Sequence, residues 1–122
     1  MAVIMVIDDE EMVRTTLRDT LELDGHEVVE ASDGQKGLDM FAVTPANLVI
    51  TDIMMPEKAG IETVVELSQQ FPATKIIVIS GGGVSKNLEF LKIAKTLGAD
   101  RVIPKPFTPD RLLTTVRELL AA

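Results

Sequence analysis

Several polar side chains in this sequence stand just past, or at the end of, short apolar runs. Asp8 and Asp9 follow Val3-Ile-Met-Val-Ile7, Asp52 follows Leu48-Val-Ile50, Ser80 follows Ile76-Ile-Val-Ile79, and Lys105 follows Val102-Ile103. Taken singly, each has an ordinary explanation. Asp8 and Asp9 suit a negative run at a helix start, favoured by the helix dipole. Asp52 suits a turn or cap, Ser80 a capping hydroxyl, and Lys105 an exposed loop cation. Taken together they describe phosphoryl chemistry. Asp8, Asp9 and Asp52 held close together repel one another unless a cation sits among them. A hard divalent ion such as Mg²⁺ takes oxygen ligands and completes its shell with water and phosphate oxygens, which suits these residues better than hydrolytic zinc does. A carboxylate is a competent nucleophile towards phosphate, giving an aspartyl phosphate. An ammonium then balances the charge, and a hydroxyl bonds a remaining oxygen.

For these residues to meet, the apolar runs must lie side by side. Val3–Ile7 and Lys75–Ile79 lack polar alternation, which suits parallel strands covered on both faces. Leu48–Ile50 is the strand that delivers Asp52. Glu27–Ala31 is more polar, and Arg101–Ile103 is short, so both are expected at the edges. Between the strands come helical patterns. The first opens at the acidic run Asp8–Glu11, with Val13, Leu17 and Leu21 inward and Gly25 as its stop. The second is capped by Asp33, carries Leu38 and Phe41 inward, and is weakened by Gly37. The third has Ile61, Val64 and Val65 inward and ends at Phe71-Pro72. A fourth carries Leu88, Leu91 and Ala94 and stops at Gly98. The fifth is capped by Thr108, begins with Pro109, and turns Leu112, Leu113, Val116, Leu119 and Leu120 inward.

Five strands alternating with five helices predict a doubly wound, flavodoxin-like α/β sandwich of three layers, with a parallel sheet of order 2-1-3-4-5. In such sheets the functional crevice lies outside the carboxyl ends of the strands, where the candidate residues gather.

Composition narrows the function. A chain of 122 residues fits one domain, 1–122, and 46% hydrophobic with 25% charged residues is ordinary for a globular protein. No apolar run reaches the ~20 residues of a membrane helix, and no basic flank marks a signal peptide, so a cytoplasmic location is expected. Cysteine is absent, which removes thiol nucleophiles and zinc thiolate sites. A net charge of −7 argues against direct nucleic-acid binding. His26, beside Gly25 at a turn, is read as solvated. Gly81-Gly82-Gly83 lacks the G-x-x-x-x-G-K-[ST] pattern of a phosphate-binding loop and is read as a hinge.

At this point the chain resembles, over nearly its whole length, the response-regulator receiver domains of two-component signalling. Asp8 and Asp9 stand at the family's acidic metal pair. Asp52 with Met55, Pro56 and Gly60 reproduces its phosphoacceptor motif D-x-x-M-P-x-x-x-G. Ser80 occupies its Ser/Thr switch position, and Leu97-Gly-Ala-Asp100 and Lys105-Pro-Phe107 match its last signatures. The resemblance implies that Asp52 accepts phosphate from a histidine kinase or phosphotransfer protein. It also implies Mg²⁺ held by Asp9, Asp52 and the backbone carbonyl of Met54, with Asp8 acting mainly through water. Such a protein promotes only its own phosphorylation and dephosphorylation. It would signal to a partner through Ser80 and the face made by the fourth helix, fifth strand and fifth helix, as a monomer or an activation-dependent weak dimer.

Two positions depart from the family pattern. Val102 stands where an aromatic switch residue is usual, and Lys58-Ala59 replaces the commoner pair before the motif's glycine. Two other classes share parts of the pattern. A phosphohydrolase of the haloacid dehalogenase kind also uses a strand-end Asp, but it needs Asp-x-Asp, and here the second position after Asp8 is Glu10. A flavodoxin-like FMN module would set its cofactor phosphate against Asp8–Glu11 and has no Trp or Tyr here to stack on the flavin.

Overall fold

The computed structural model describes residues 2–52, 60–80, 96, 98–104 and 107–121, without the side chains of residues 60, 61, 80 and 104. In chain order the elements are β1 (Val3–Ile7), α1 (Glu11–Leu23), β2 (Glu27–Ala31), α2 (Gly34–Val43), β3 (Leu48–Asp52), α3 (Gly60–Gln70), β4 (Lys75–Ser80), β5 (Arg101–Pro104) and α4 (Pro109–Ala121). All strand pairs are parallel, in the order β2-β1-β3-β4-β5. That is the expected α/β topology, with four helices among the described residues. The helix expected through Leu88, Leu91 and Ala94, and the Gly81–Gly83 hinge before it, lie outside them.

Side chains of successive strand residues point to opposite faces, and this divides the core in two. Met5, Ile7, Val49, Ile76 and Val78 pack with Leu38 and Phe41 of α2 and Val64 and Leu67 of α3. Ile4, Val6, Leu48, Ile50, Ile77 and Ile79 pack with Leu17 and Leu21 of α1 and Leu112, Val116 and Leu119 of α4. The α3 face is rotated from the expected one: Val64 is buried as predicted, but Val65 is only half-buried and Leu67 is buried in its place. The side chain of Ile61 lies outside the description. Phe71, just past α3, meets Phe41 with ring centroids 4.5 Å apart, tying α3 to α2.

Helix ends follow local chemistry. Asp33 caps α2 by accepting the Lys36 N–H at 2.8 Å, and Thr108 Oγ1 accepts the Arg111 N–H at 3.1 Å where Pro109 begins α4. α1 starts at Glu11 rather than in the Asp8-Asp9 pair, because the Asp8 carboxylate bonds the Glu10 N–H and turns the chain first. Gly37 does more than weaken α2. A Cβ there would sit 2.5 Å from Ile7 Cδ1, so the glycine lets α2 rest directly on β1.

Gly98 has φ +136°, and a Cβ on it would meet Ser68 Cβ at 2.5 Å and Oγ at 2.6 Å. Both the backbone conformation and the space exclude a side chain. Gly98→Ala should therefore cost about 1–3 kcal/mol, read as a lower urea midpoint with an unchanged slope. An unaltered midpoint would mean that neither the backbone nor Ser68 resists.

His26 is not solvated: its side chain is 10% exposed, Nδ1 accepts the Ala2 N–H at 3.3 Å, and Nε2 lies 3.5 Å from Asp24 Oδ2. The cause is the N-terminal segment, whose Ala2 carbonyl accepts the Glu27 N–H at 2.9 Å at the start of β2. Asp24 in turn is gripped at both oxygens by Arg117 of α4, whose Nε donates at 3.1 Å. This hydrogen-bonded guanidinium holds the Asp24 carboxyl below the usual carboxylate range. A carboxylate with a depressed folded pKa adds stability that is complete above its unfolded pKa and disappears as pH falls through the folded one. Wild type should thus lose more stability than Asp24→Asn on acidification below about pH 4. The difference should shrink in high salt, since both partners touch solvent. Urea midpoints measured across the acid range test this, and parallel profiles would remove Asp24 from the account.

Candidate functional site at the carboxyl ends of the strands

β1 and β3 are neighbours, paired as far as Ile7 and Thr51, so Asp8 and Asp52 leave adjacent strands one step past the same rung. The alternation that sends Ile4 and Val6, and Leu48 and Ile50, to the α1–α4 side carries Asp8 and Asp52 to that side as well. Both are withdrawn from solvent, Asp8 wholly and Asp52 to 5% exposure. Next to them, Thr51 is fully buried and its hydroxyl donates to the Asp52 carbonyl at 3.1 Å. On the other flank Asp52 pairs with Ile79, so β4 brings Ser80 one residue beyond, level with Pro104 of β5.

The carboxylates of Asp8, Asp9 and Glu10 each offer an oxygen, and these oxygens lie within 4.8 Å of one another. Asp8 supplies the buried member and Asp9 and Glu10 exposed ones. An all-oxygen set with one buried anion fits a hard divalent cation such as Mg²⁺ and offers no nitrogen or sulfur for a softer metal. Asp8 is fixed from several directions. Its N–H donates to the Ala31 carbonyl at 3.1 Å, which carries the β1–β2 ladder one rung further, and its Oδ1 accepts the Glu10 N–H at 2.9 Å.

The sequence-derived residues are thus only partly in view. Asp8 and Asp9 come together, and Asp52 stands beside Asp8 across the sheet. The backbone of Ser80 takes its expected place at the end of β4. Its side chain, the carbonyl of Met54 and Lys105 all lie outside the described residues. Glu10 was missed as a carboxylate of the cluster, although the unbroken acidic run was the signal for it. Arg14 was missed altogether, since an arginine one turn into an amphipathic helix looks like any surface cation. Its guanidinium in fact reaches back to the Asp8 carbonyl at 2.7 Å.

A doubly wound parallel sheet of this order, with an acidic cluster outside the carboxyl ends of its central strands, defines the class of flavodoxin-like receiver folds. Residues 4–117 match the family described as "Response regulator receiver domain", and the chain belongs to it. It is 36% identical over 118 residues to the alkaline phosphatase synthesis transcriptional regulatory protein PhoP of Bacillus subtilis, covering 96% of this chain and 48% of the relative. The chain therefore spans about half the length of the curated relatives it matches. A crystal structure of a response regulator receiver domain protein from Clostridium thermocellum superposes with a TM-score of 0.91 at 31% identity, covering 99% of this chain and 95% of that one. The chemotaxis protein CheY4 of Vibrio cholerae superposes with a TM-score of 0.86 at 29% identity, covering 98% of both chains. The chain is thus a receiver domain of two-component signalling. No helix among the described residues is long and apolar enough to cross a membrane.

Proposed function

We propose that residues 1–122 form one receiver unit that accepts a phosphoryl group on Asp52 and passes the resulting change to a partner. The observation that carries this reading is the placing of Asp8 and Asp52, both buried, at adjacent strand ends on one face of the sheet. A buried anion next to another is costly unless a cation offsets it, and Asp9 and Glu10 extend the acidic group to the surface where a cation enters. In the reaction, an Asp52 carboxylate oxygen attacks the phosphorus of a phosphohistidine or of a small acyl phosphate. The O–P bond forms as the P–N or P–O bond to the donor breaks, and the leaving group departs with that electron pair.

Mg²⁺ is the cofactor of this reading, held by Asp9, Asp52 and the Met54 carbonyl with Asp8 acting through water; when bound it offsets charge on the transferring phosphoryl oxygens. Asp8 holds negative charge at the buried end of the site. Lys105 supplies an ammonium to the phosphoryl group, and the Ser80 hydroxyl donates to its remaining oxygen. The movement of Ser80 then alters the surface formed by the Leu88–Ala94 segment, β5 and α4. Val102, where an aromatic is usual in the family, sits opposite Val78 and packs into the α2–α3 side of the core. A valine has no ring to change rotamer, so backbone displacement rather than an aromatic flip carries the signal. The donor is a histidine kinase or histidine phosphotransfer protein, and the location is cytoplasmic. The protein catalyses no reaction beyond its own phosphorylation and dephosphorylation. The receiver unit itself makes no direct contact with nucleic acid and is a monomer or an activation-dependent weak dimer.

The test is uptake of one hydroxylamine-labile phosphoryl group per chain from acetyl phosphate, dependent on Mg²⁺. Turnover of added phosphomonoesters without a stable acyl phosphate would point to the hydrolase reading instead.

A further inference from the structure

The acidic cluster is anchored from outside by one residue that the phosphoryl reading does not use. Arg14 lies in the first turn and a half of α1 with its side chain 16% exposed. Its Nη1 donates to the Asp8 carbonyl at 2.7 Å, while its Nε donates to Glu30 Oε1 at 3.3 Å. Glu30 is itself held by Arg18 Nη1 at its other oxygen. The next residue of β2, Ala31, receives the Asp8 N–H. A ring is thereby closed: Asp8 to Ala31 through the backbone, Glu30 to Arg14 through side chains, and Arg14 back to Asp8. The bonded carbonyl belongs to the peptide that joins Asp8 to Asp9. Fixing that plane fixes the direction in which Asp9 leaves β1, and with it the separation of the two carboxylates.

We propose that Arg14 is a positioning residue of the cation site, setting the Asp8–Asp9 peptide through a two-point grip on the Asp8 carbonyl and Glu30. This rests on the reading of Asp8 and Asp9 as the Mg²⁺ site. Charge and geometry make opposite predictions here. Arg14 brings a positive charge close to the acidic cluster, so by electrostatics alone its removal strengthens cation binding. Its removal frees the peptide plane, and loss of an outer partner that orients metal ligands weakens metal affinity, typically by about 10–100-fold. Arg14→Met should accordingly bind Mg²⁺ about 10–100-fold more weakly in a calorimetric titration, at a temperature where circular dichroism shows it fully folded. Arg18→Met removes a cation of the same network without touching Asp8. It should leave Mg²⁺ affinity unchanged within roughly two-fold, even where it lowers the urea midpoint.

Arg14→Lys keeps the charge but cannot reach the carbonyl and Glu30 together, since a fork of donors is replaced by a single ammonium. It should remain weaker than wild type. A second readout needs no metal: exchange of the Glu10 amide, bonded to Asp8 Oδ1, should speed up roughly ten-fold in Arg14→Met or Arg14→Lys and not in Arg18→Met. Equal or tighter Mg²⁺ binding by Arg14→Met would overturn the proposal, as would full affinity in Arg14→Lys. If Arg14→Met did not fold, the amide exchange of Arg14→Lys would decide the matter, and a wild-type rate would count against us. Absence of Mg²⁺ binding by the wild type would instead overturn the cation-site reading itself, a separate outcome.

Discussion

Asp52→Asn should take up no phosphoryl group from acetyl phosphate and Mg²⁺ under conditions that modify the wild type fully. The amide has nearly the shape of the carboxylate but no anionic oxygen to attack phosphorus, so the phosphoryl-transfer step is lost rather than slowed. The fold should survive the change. Asp52 is almost entirely buried beside buried Asp8, and replacing one of two neighbouring anions relieves repulsion in the metal-free protein. Metal-free Asp52→Asn should therefore have a urea midpoint equal to or above that of the wild type, which separates lost chemistry from lost structure. Mass spectrometry of the intact chain gives the answer directly. Labelling of the variant equal to wild type would move the acceptor elsewhere, with exposed Asp9 the first residue to examine.

The second large effect concerns the cation. A ligand that binds only the folded state stabilises it by mass action, which comes to about 2.7 kcal/mol at a free concentration one hundred times the dissociation constant. For a chain of this size that amounts to a rise of roughly 10 °C in the thermal midpoint. Asp9→Asn removes an exposed member of the carboxylate group while leaving Asp8 and its hydrogen bonds in place. It should lose most of the Mg²⁺-dependent rise and be no less stable than wild type without the ion. Midpoints that respond to Mg²⁺ alike in both proteins would show that Asp9 is no ligand. A wild-type midpoint indifferent to millimolar Mg²⁺ would dispose of the site altogether.

The strands and their order could be read from the chain because parallel, doubly covered strands leave a simple mark: apolar runs such as Val3–Ile7 with a polar residue at the end. Asp8 and Asp52 became legible in the same way, as the first charged residues past two central runs. Position across the sheet was harder. Arg14 has the composition and spacing of a solvent-facing helix residue, and only the sharp turn at Asp8–Glu10 brings the Asp8 carbonyl within its reach. His26 looked like a turn residue because nothing near it in sequence announces Ala2 as its partner. In α3, Val65 and Leu67 are equally apolar, and the choice between them was made by which side of the helix meets Phe41 of α2, a contact between distant segments. Local chemistry, by contrast, served well at Asp33, Thr108 and Pro109, where the capping bond lies within three residues.

The two border strands have a consequence for how any second molecule approaches. β2 carries exposed Glu27, and Glu30 in its ion pairs with Arg14 and Arg18, while β5 begins with Arg101 paired to Glu118 and ends at Pro104. Unpaired strand edges invite a neighbouring chain to continue the sheet, and charge and proline are the usual guards against it. Here both guards are present at opposite ends of one sheet. Extension of the ladder, the route by which crowded α/β proteins join into insoluble arrays, is disfavoured on each side. A second molecule that meets this chain through side chains, at the helices or at the carboxyl ends of the strands, leaves the backbone ladder uncommitted.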